Sequence, residues 1–336
     1  MADAEVIPLT PEPGRRPSSG AGPSKAARLV GNTGPQPTTT EPHAHDPLLG
    51  VIGDRDLGET DIAQESWQQF FSRRLKGEYA VDDFGFDPEL TDKVLLQVFR
   101  PLYRSWFRVE VSGIDHVPAD SGALVVCNHS GVIAIDAIMT QVALHDEHPA
   151  HRHLRLLGAD LVFKNPVMGD LARRAGHTLA CNPDAERLLS AGEIVGVFPE
   201  GFKGIGKPFS QRYKLQRFGR GGFVAAALRT GTPIIPTAII GAEETYPMIG
   251  NAGIIARLLG LPYFPLTPTF PWLGPLGAVP LPSKWHIHFG EPIPTAHYGA
   301  AAADDPMIVF NLTDQVREQI QQSLFDLLVQ RPRAFG

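Results

Sequence analysis

Seven short apolar runs, 107–112, 122–127, 154–158, 177–181, 194–198, 233–240 and 285–289, recur along the chain. Segments with helical spacing fill 134–144, 166–175, 183–191, 219–230 and 312–329 around them. Strand-length runs interleaved with helices predict an α/β fold: a mostly parallel central sheet flanked by helices. In such sheets, ligands gather off the carboxyl ends of the strands. There is no internal repeat.

Two of the predicted strands end in residues that carry chemistry. Residues 124–136 read Leu-Val-Val-Cys-Asn-His-Ser-Gly-Val-Ile-Ala-Ile-Asp, so the apolar run stops at Asn128-His129 and a carboxylate follows at Asp136. A histidine of near-neutral pKa takes a proton from a hydroxyl, and a carboxylate beside it fixes its tautomer. The spacing from 129 to 136 is not one helical turn, so a loop or partial turn must bridge it. The plainer alternative is a hydrogen-bonded core histidine with a helix-capping aspartate.

The second strand end reads Phe198-Pro199-Glu200-Gly201-Phe202-Lys203-Gly204. Gly201 and Gly204 permit tight or positive-φ backbone next to a ligand. Lys203, Lys207, Arg212, Lys214, Arg217 and Arg220 follow, with no acidic residue between 201 and 222. Such a patch suits a phosphate, a diphosphate or an anionic lipid surface. Two patterns in the chain are decoys. Gly201 to Lys207 fits the start of a P-loop, but Pro208 stands where Ser or Thr would hold magnesium. The cluster His145, Asp146, Glu147, His148, His151 and His153 follows a helix in a polar stretch, and a solvated loop is expected there rather than a metal site.

The chain of 336 residues is long enough for a large core and one or two domains. A net charge of −6 argues against a nucleic-acid binder. Two cysteines, Cys127 and Cys181, make no disulfide framework, so a reducing cytoplasm is expected. The opening Met-Ala-Asp-Ala-Glu lacks the marks of a signal peptide. Residues 258–282 carry no charge, but their seven prolines rule out a spanning helix. That run is a conspicuous apolar coil.

Residues 1–55, rich in Pro, Gly, Ser and Thr, read as a disordered tail. A pair of amphipathic helices is expected over 56–105, with Ile62, Trp67, Phe70, Phe71 and Leu75 on one. The other carries Leu90, Val94, Leu95, Val98, Phe99 and Leu102, interleaved with Arg100, Arg104 and Arg108. It either packs on the domain with its arginines reaching water or lies on a membrane. The α/β domain is expected over 106–332.

Asn128-His129 with Asp136, then Phe198-Pro199-Glu200-Gly201, then Pro233-Ile-Ile-Pro236-Thr-Ala-Ile resemble the ordered blocks of the glycerolipid (lysophospholipid) acyltransferase superfamily. The resemblance covers roughly residues 100–295. It implies transfer of a fatty acyl group from a thioester, acyl-CoA or acyl carrier protein, to the hydroxyl of a lipid acceptor, with no cofactor or metal. It makes His129 the general base and Asp136 its orienting partner. Asn128, Ser130, Gly131, Glu200, Gly201, Lys203 and Lys207 become substrate-binding residues. Six residues separate His129 from Asp136 where the family commonly has four, a spacing that resembles a branch including neutral-glyceride acyltransferases. Lys203 stands where many members carry Arg, and Asn182 stands near a common phosphate-binding Arg. The acceptors left open are lysophosphatidic acid, monoacylglycerol and another lipid alcohol. The expected location is cytoplasmic, peripheral on the inner face of the cell membrane. A non-catalytic lipid-binding protein and a lipid esterase are the competing readings.

Overall fold

β-Branched and leucine residues dominate the apolar runs, and in the computed structural model each becomes a strand of one sheet. The structure describes residues 65–331 and 333–335. The expected tail and the start of the first amphipathic helix, residues 60–64, lie outside the described residues. The strands are β1 (Glu110–Ser112), β2 (Ala123–Cys127), β3 (Leu154–Gly158), β4 (Thr178–Leu179), β5 (Ile194–Val197) and β6 (Ile234–Ile240). A short hairpin, β7 (Gly250–Asn251) and β8 (Pro265–Leu266), precedes β9 (His286–Phe289).

The seven-stranded sheet has the order β1-β9-β6-β2-β5-β3-β4. Every neighbouring pair is parallel except β6 with β9. The predicted mostly parallel sheet is therefore present, with one reversal near an edge.

Alternation along the strands divides the core into two layers. Leu124 and Val126 of β2, with Ile234, Ala238 and Ile240 of β6, face the helices Asn182–Ser190, Gly222–Thr230 and Pro306–Gln330. Ala123, Val125 and Cys127, with Ile235 and Ile239, face the helix Ile135–Glu147 and the N-terminal helical run. Both faces are covered, which explains why these strands read as continuous apolar runs.

The helix Trp67–Leu75 starts at a capping box in which Ser66 Oγ accepts the Gln69 N–H. Its Phe70 is buried, with the Arg74 guanidinium 4.7 Å from the ring centroid. Arg74 in turn pairs with the fully buried Asp87 at 2.5 Å. The second helical run, residues 88–106, differs from the expected face. Its π-helical stretches, Thr91–Leu95 and Leu102–Trp106, take more residues per turn. They bury Leu96, Tyr103 and Phe107 and leave Val98 exposed. Arg100 and Arg104 both pair with Asp146 at the end of Ile135–Glu147, so this run is packed on the domain.

Candidate active site

β2 and β5 are parallel neighbours, with Val126 beside Val197. Both leave the sheet at the same edge, so the two distinctive strand ends emerge side by side. The chain bends after His129, and Gly131 at φ +78° supports that bend. The helix Ile135–Glu147 then begins, with Asp136 in its first turn. Asp136 Oδ2 lies 2.8 Å from His129 Nδ1 and also accepts the Ser130 N–H at 2.8 Å. Asp136 Oδ1 accepts the Ala137 N–H at 2.9 Å.

Asp136 is fully buried and acts as a fixed acceptor, so Nδ1 carries the proton and the Nε2 lone pair is left available. Among the described residues Nε2 makes no hydrogen bond. The His129 ring packs 4.6 Å from the Phe198 ring and is 9% exposed. The imidazole is thus sheltered without being sealed.

Glu200 is buried and its two oxygens are engaged. Oε1 accepts the His129 N–H at 2.8 Å and Oε2 accepts the Gln216 N–H at 2.6 Å. Lys207 is buried too, with Nζ 2.9 Å from Glu243 and 3.7 Å from Glu200. Burial raises the Glu243 carboxyl to about 7, outweighing the opposing pull of Lys207. Asn128 is fully buried; its Nδ2 donates to Ile239 O at 3.0 Å and its Oδ1 accepts the Ile239 N–H at 2.7 Å. It behaves as one more strand residue of β2, paired to β6.

The structure places the expected substrate-binding residues in different surroundings. Asn128, Glu200 and Lys207 have their polar groups engaged with other protein groups, as buried polar groups require. In this arrangement they brace the site. Ser130 is also buried; its N–H serves Asp136, while its Oγ has no hydrogen-bond partner among the described residues. Gly201 (φ +54°) and Lys203 are exposed beside the site. The P-loop-like stretch forms the short helix Phe202–Ile205 and no phosphate cradle.

Gly204 fits against the base itself. A Cβ there would lie 2.8 Å from His129 Cβ, from His129 O and from Glu200 Cβ. Tyr263 belongs to the charge-free run. Its hydroxyl donates to Val132 O at 2.5 Å, and burial raises its pKa to about 12. The same run exposes Leu258 (84%), Leu276 (72%) and Trp272 (70%). Cys127, next to the site in sequence, is buried, which pushes its thiol well above the ordinary range. It is no nucleophile.

The comparisons agree with this geometry. Residues 108–240 match the family model described as Acyltransferase. An uncharacterized protein of Mycobacterium tuberculosis is 60% identical over 266 residues, 79% of this chain and 74% of that protein. The DGAT1/2-independent enzyme synthesizing storage lipids of Homo sapiens is 25% identical over 191 residues, 56% of this chain and 55% of that protein. The 1-acyl-sn-glycerol-3-phosphate acyltransferase of Bacillus subtilis is 26% identical over 145 residues, 40% of this chain and 64% of that protein. The matched span runs from just before β1 to the end of β6 and holds both strand-end motifs, so the chain belongs to the acyltransferase family.

Proposed function

We propose that this protein is a lipid O-acyltransferase working at a membrane surface, with His129 as the general base. The observation that carries the reading is the 2.8 Å contact from His129 Nδ1 to buried Asp136, which leaves Nε2 to accept a proton at a strand end. The acceptor hydroxyl gives its proton to Nε2 while its oxygen attacks the thioester carbonyl carbon. The tetrahedral intermediate collapses with cleavage of the C–S bond, and the imidazolium returns the proton to the leaving thiolate. Positioning and a base suffice, and no covalent acyl-enzyme is needed.

The donor is acyl-CoA or an acyl carrier protein. The acceptor is a glycerolipid or related lipid alcohol, a range bracketed by the storage-lipid and glycerol-phosphate names of the two remote relatives. The exposed cations Lys203, Arg212, Lys214, Arg217 and Arg220 suit donor phosphates or an anionic headgroup. Among the described residues no helix is long and apolar enough to cross a membrane. The exposed apolar side chains of 254–276 supply an interfacial anchor instead, and Tyr263 ties that segment to the His129 loop.

The test supplies labelled acyl-CoA and acyl carrier protein with lysophosphatidic acid, monoacylglycerol and long-chain alcohols. Esterified product that falls on the order of 10²–10⁴-fold in His129→Ala supports the reading. Unchanged turnover in that variant overturns it. Free fatty acid without ester identifies an esterase, and vesicle binding without any turnover identifies a non-catalytic lipid binder.

A further inference from the structure

The polar stretch expected to be a solvated loop does not behave as one. Its two histidines, His145 at the end of the helix Ile135–Glu147 and His153 just before β3, converge on Asp92 of the N-terminal helical run. One ligand atom from each of the three lies within 4.8 Å of the others. His145 Nε2 is 3.3 Å and His153 Nε2 is 3.6 Å from the same oxygen, Asp92 Oδ1. Asp92 Oδ1 is buried and makes no well-formed hydrogen bond among the described residues, although the nearby carboxylate raises the pKa of the His145 imidazole.

We propose that Asp92, His145 and His153 form a three-ligand zinc site that fastens the N-terminal helical run to the α/β core. The donor spacing supports tetrahedral coordination. Metal–ligand bonds of about 2.0–2.1 Å set neighbouring tetrahedral donors about 3.3–3.4 Å apart. Octahedral bonds of the same length would set them about 3.0 Å apart. The two distances to Asp92 Oδ1, 3.3 and 3.6 Å, are nearer the tetrahedral value.

The surroundings also suit a cation. His145 Nδ1 lies 3.3 Å from Asp146 Oδ1, which fixes the ring with Nε2 toward Asp92. Asp146 is held in turn by Arg100 at 2.6 Å and Arg104 at 3.0 Å. Among the described residues His153 Nδ1 is buried without a hydrogen-bond partner, its ring edge-on to Phe86, and Nε2 is the nitrogen that faces Asp92. Two imidazoles and a carboxylate are a zinc donor set, and water completes the fourth position. The site sits at the far end of the helix from Asp136, about 13 Å along its axis, so its role is to hold the fold.

The test uses the full chain, stripped with a chelator and titrated with Zn²⁺ by calorimetry and with Co²⁺ by visible absorption. The expected result is saturable one-to-one binding, an intense tetrahedral cobalt spectrum and a rise in the unfolding midpoint with Zn²⁺. Asp92→Ala and His153→Gln each weaken binding by on the order of a hundredfold and abolish the midpoint rise, while His297→Gln changes neither. Circular dichroism establishes that each variant is folded. Absence of saturable binding, or equal binding in folded Asp92→Ala and His153→Gln, overturns the proposal. Should both variants fail to fold, the wild-type cobalt spectrum decides, and a weak octahedral spectrum overturns it.

Discussion

Glu200 Oε1 accepts the backbone N–H of His129 at 2.8 Å, so the carboxylate of one strand-end motif grips the main chain of the other. His129 is therefore fixed from two sides, by Asp136 at its ring and by Glu200 at its backbone. A side chain immobilised in this way is pre-organised for proton transfer.

Asp136→Asn keeps the shape of the carboxylate and removes its charge. An amide can donate to His129 Nδ1, which moves the imidazole proton to Nε2 and leaves no lone pair for the acceptor hydroxyl. Steady-state kinetics should show kcat reduced on the order of 10²–10⁴-fold, with KM nearly unchanged.

Gly204→Ala places a methyl 2.8 Å from His129 Cβ, His129 O and Glu200 Cβ, none of them a flexible chain end. Overpacking of this kind costs about 1–3 kcal/mol, read as a lower denaturation midpoint. Displacement of the base lowers kcat by about ten- to a hundredfold in the same preparation. Wild-type activity in a normally folded Gly204→Ala protein would show that the fit against His129 is dispensable.

Glu243 titrates near 7 in the folded chain against 4.5 for the ordinary carboxyl, because burial disfavours its charge. A raised folded pKa contributes stability that is complete below pH 4.5 and is lost as pH rises through about 7. Glu243→Gln removes this dependence. Urea unfolding across that window should show the wild type losing stability relative to the variant, by on the order of 3 kcal/mol. Parallel curves for the two proteins would refute the coupling.

Trp272 and Leu276 are 70% and 72% exposed on the segment that Tyr263 ties to the His129 loop. Replacing both with Ser should lower partitioning onto anionic vesicles about tenfold or more in flotation assays, since burying each apolar side chain is worth roughly 1.5–3 kcal/mol. Circular dichroism should be unaltered, because neither side chain is buried in the protein.

Much of the architecture was legible as pattern. All seven apolar runs became strands of one sheet, and the uninterrupted ones, β2 and β6, lie where both faces are covered. The meeting of His129 with Asp136 was legible from the motif, since a loop and the start of a helix close their spacing. The roles of neighbouring residues were not. Asn128, Glu200 and Lys207 read as ligand-facing polar groups, and their burial against Ile239, Gln216 and Glu243 was not visible in the motif.

The order of apolar runs, the two strand-end motifs and the prolines of 258–282 were determined by the sequence alone, through local periodicity and backbone chemistry. Which polar groups face a ligand and which face each other was decided by the tertiary structure. So was the convergence of Asp92, His145 and His153 from three separate segments. The reason is physical: burial and partner choice arise from contacts between residues distant in the chain, and no local pattern encodes them.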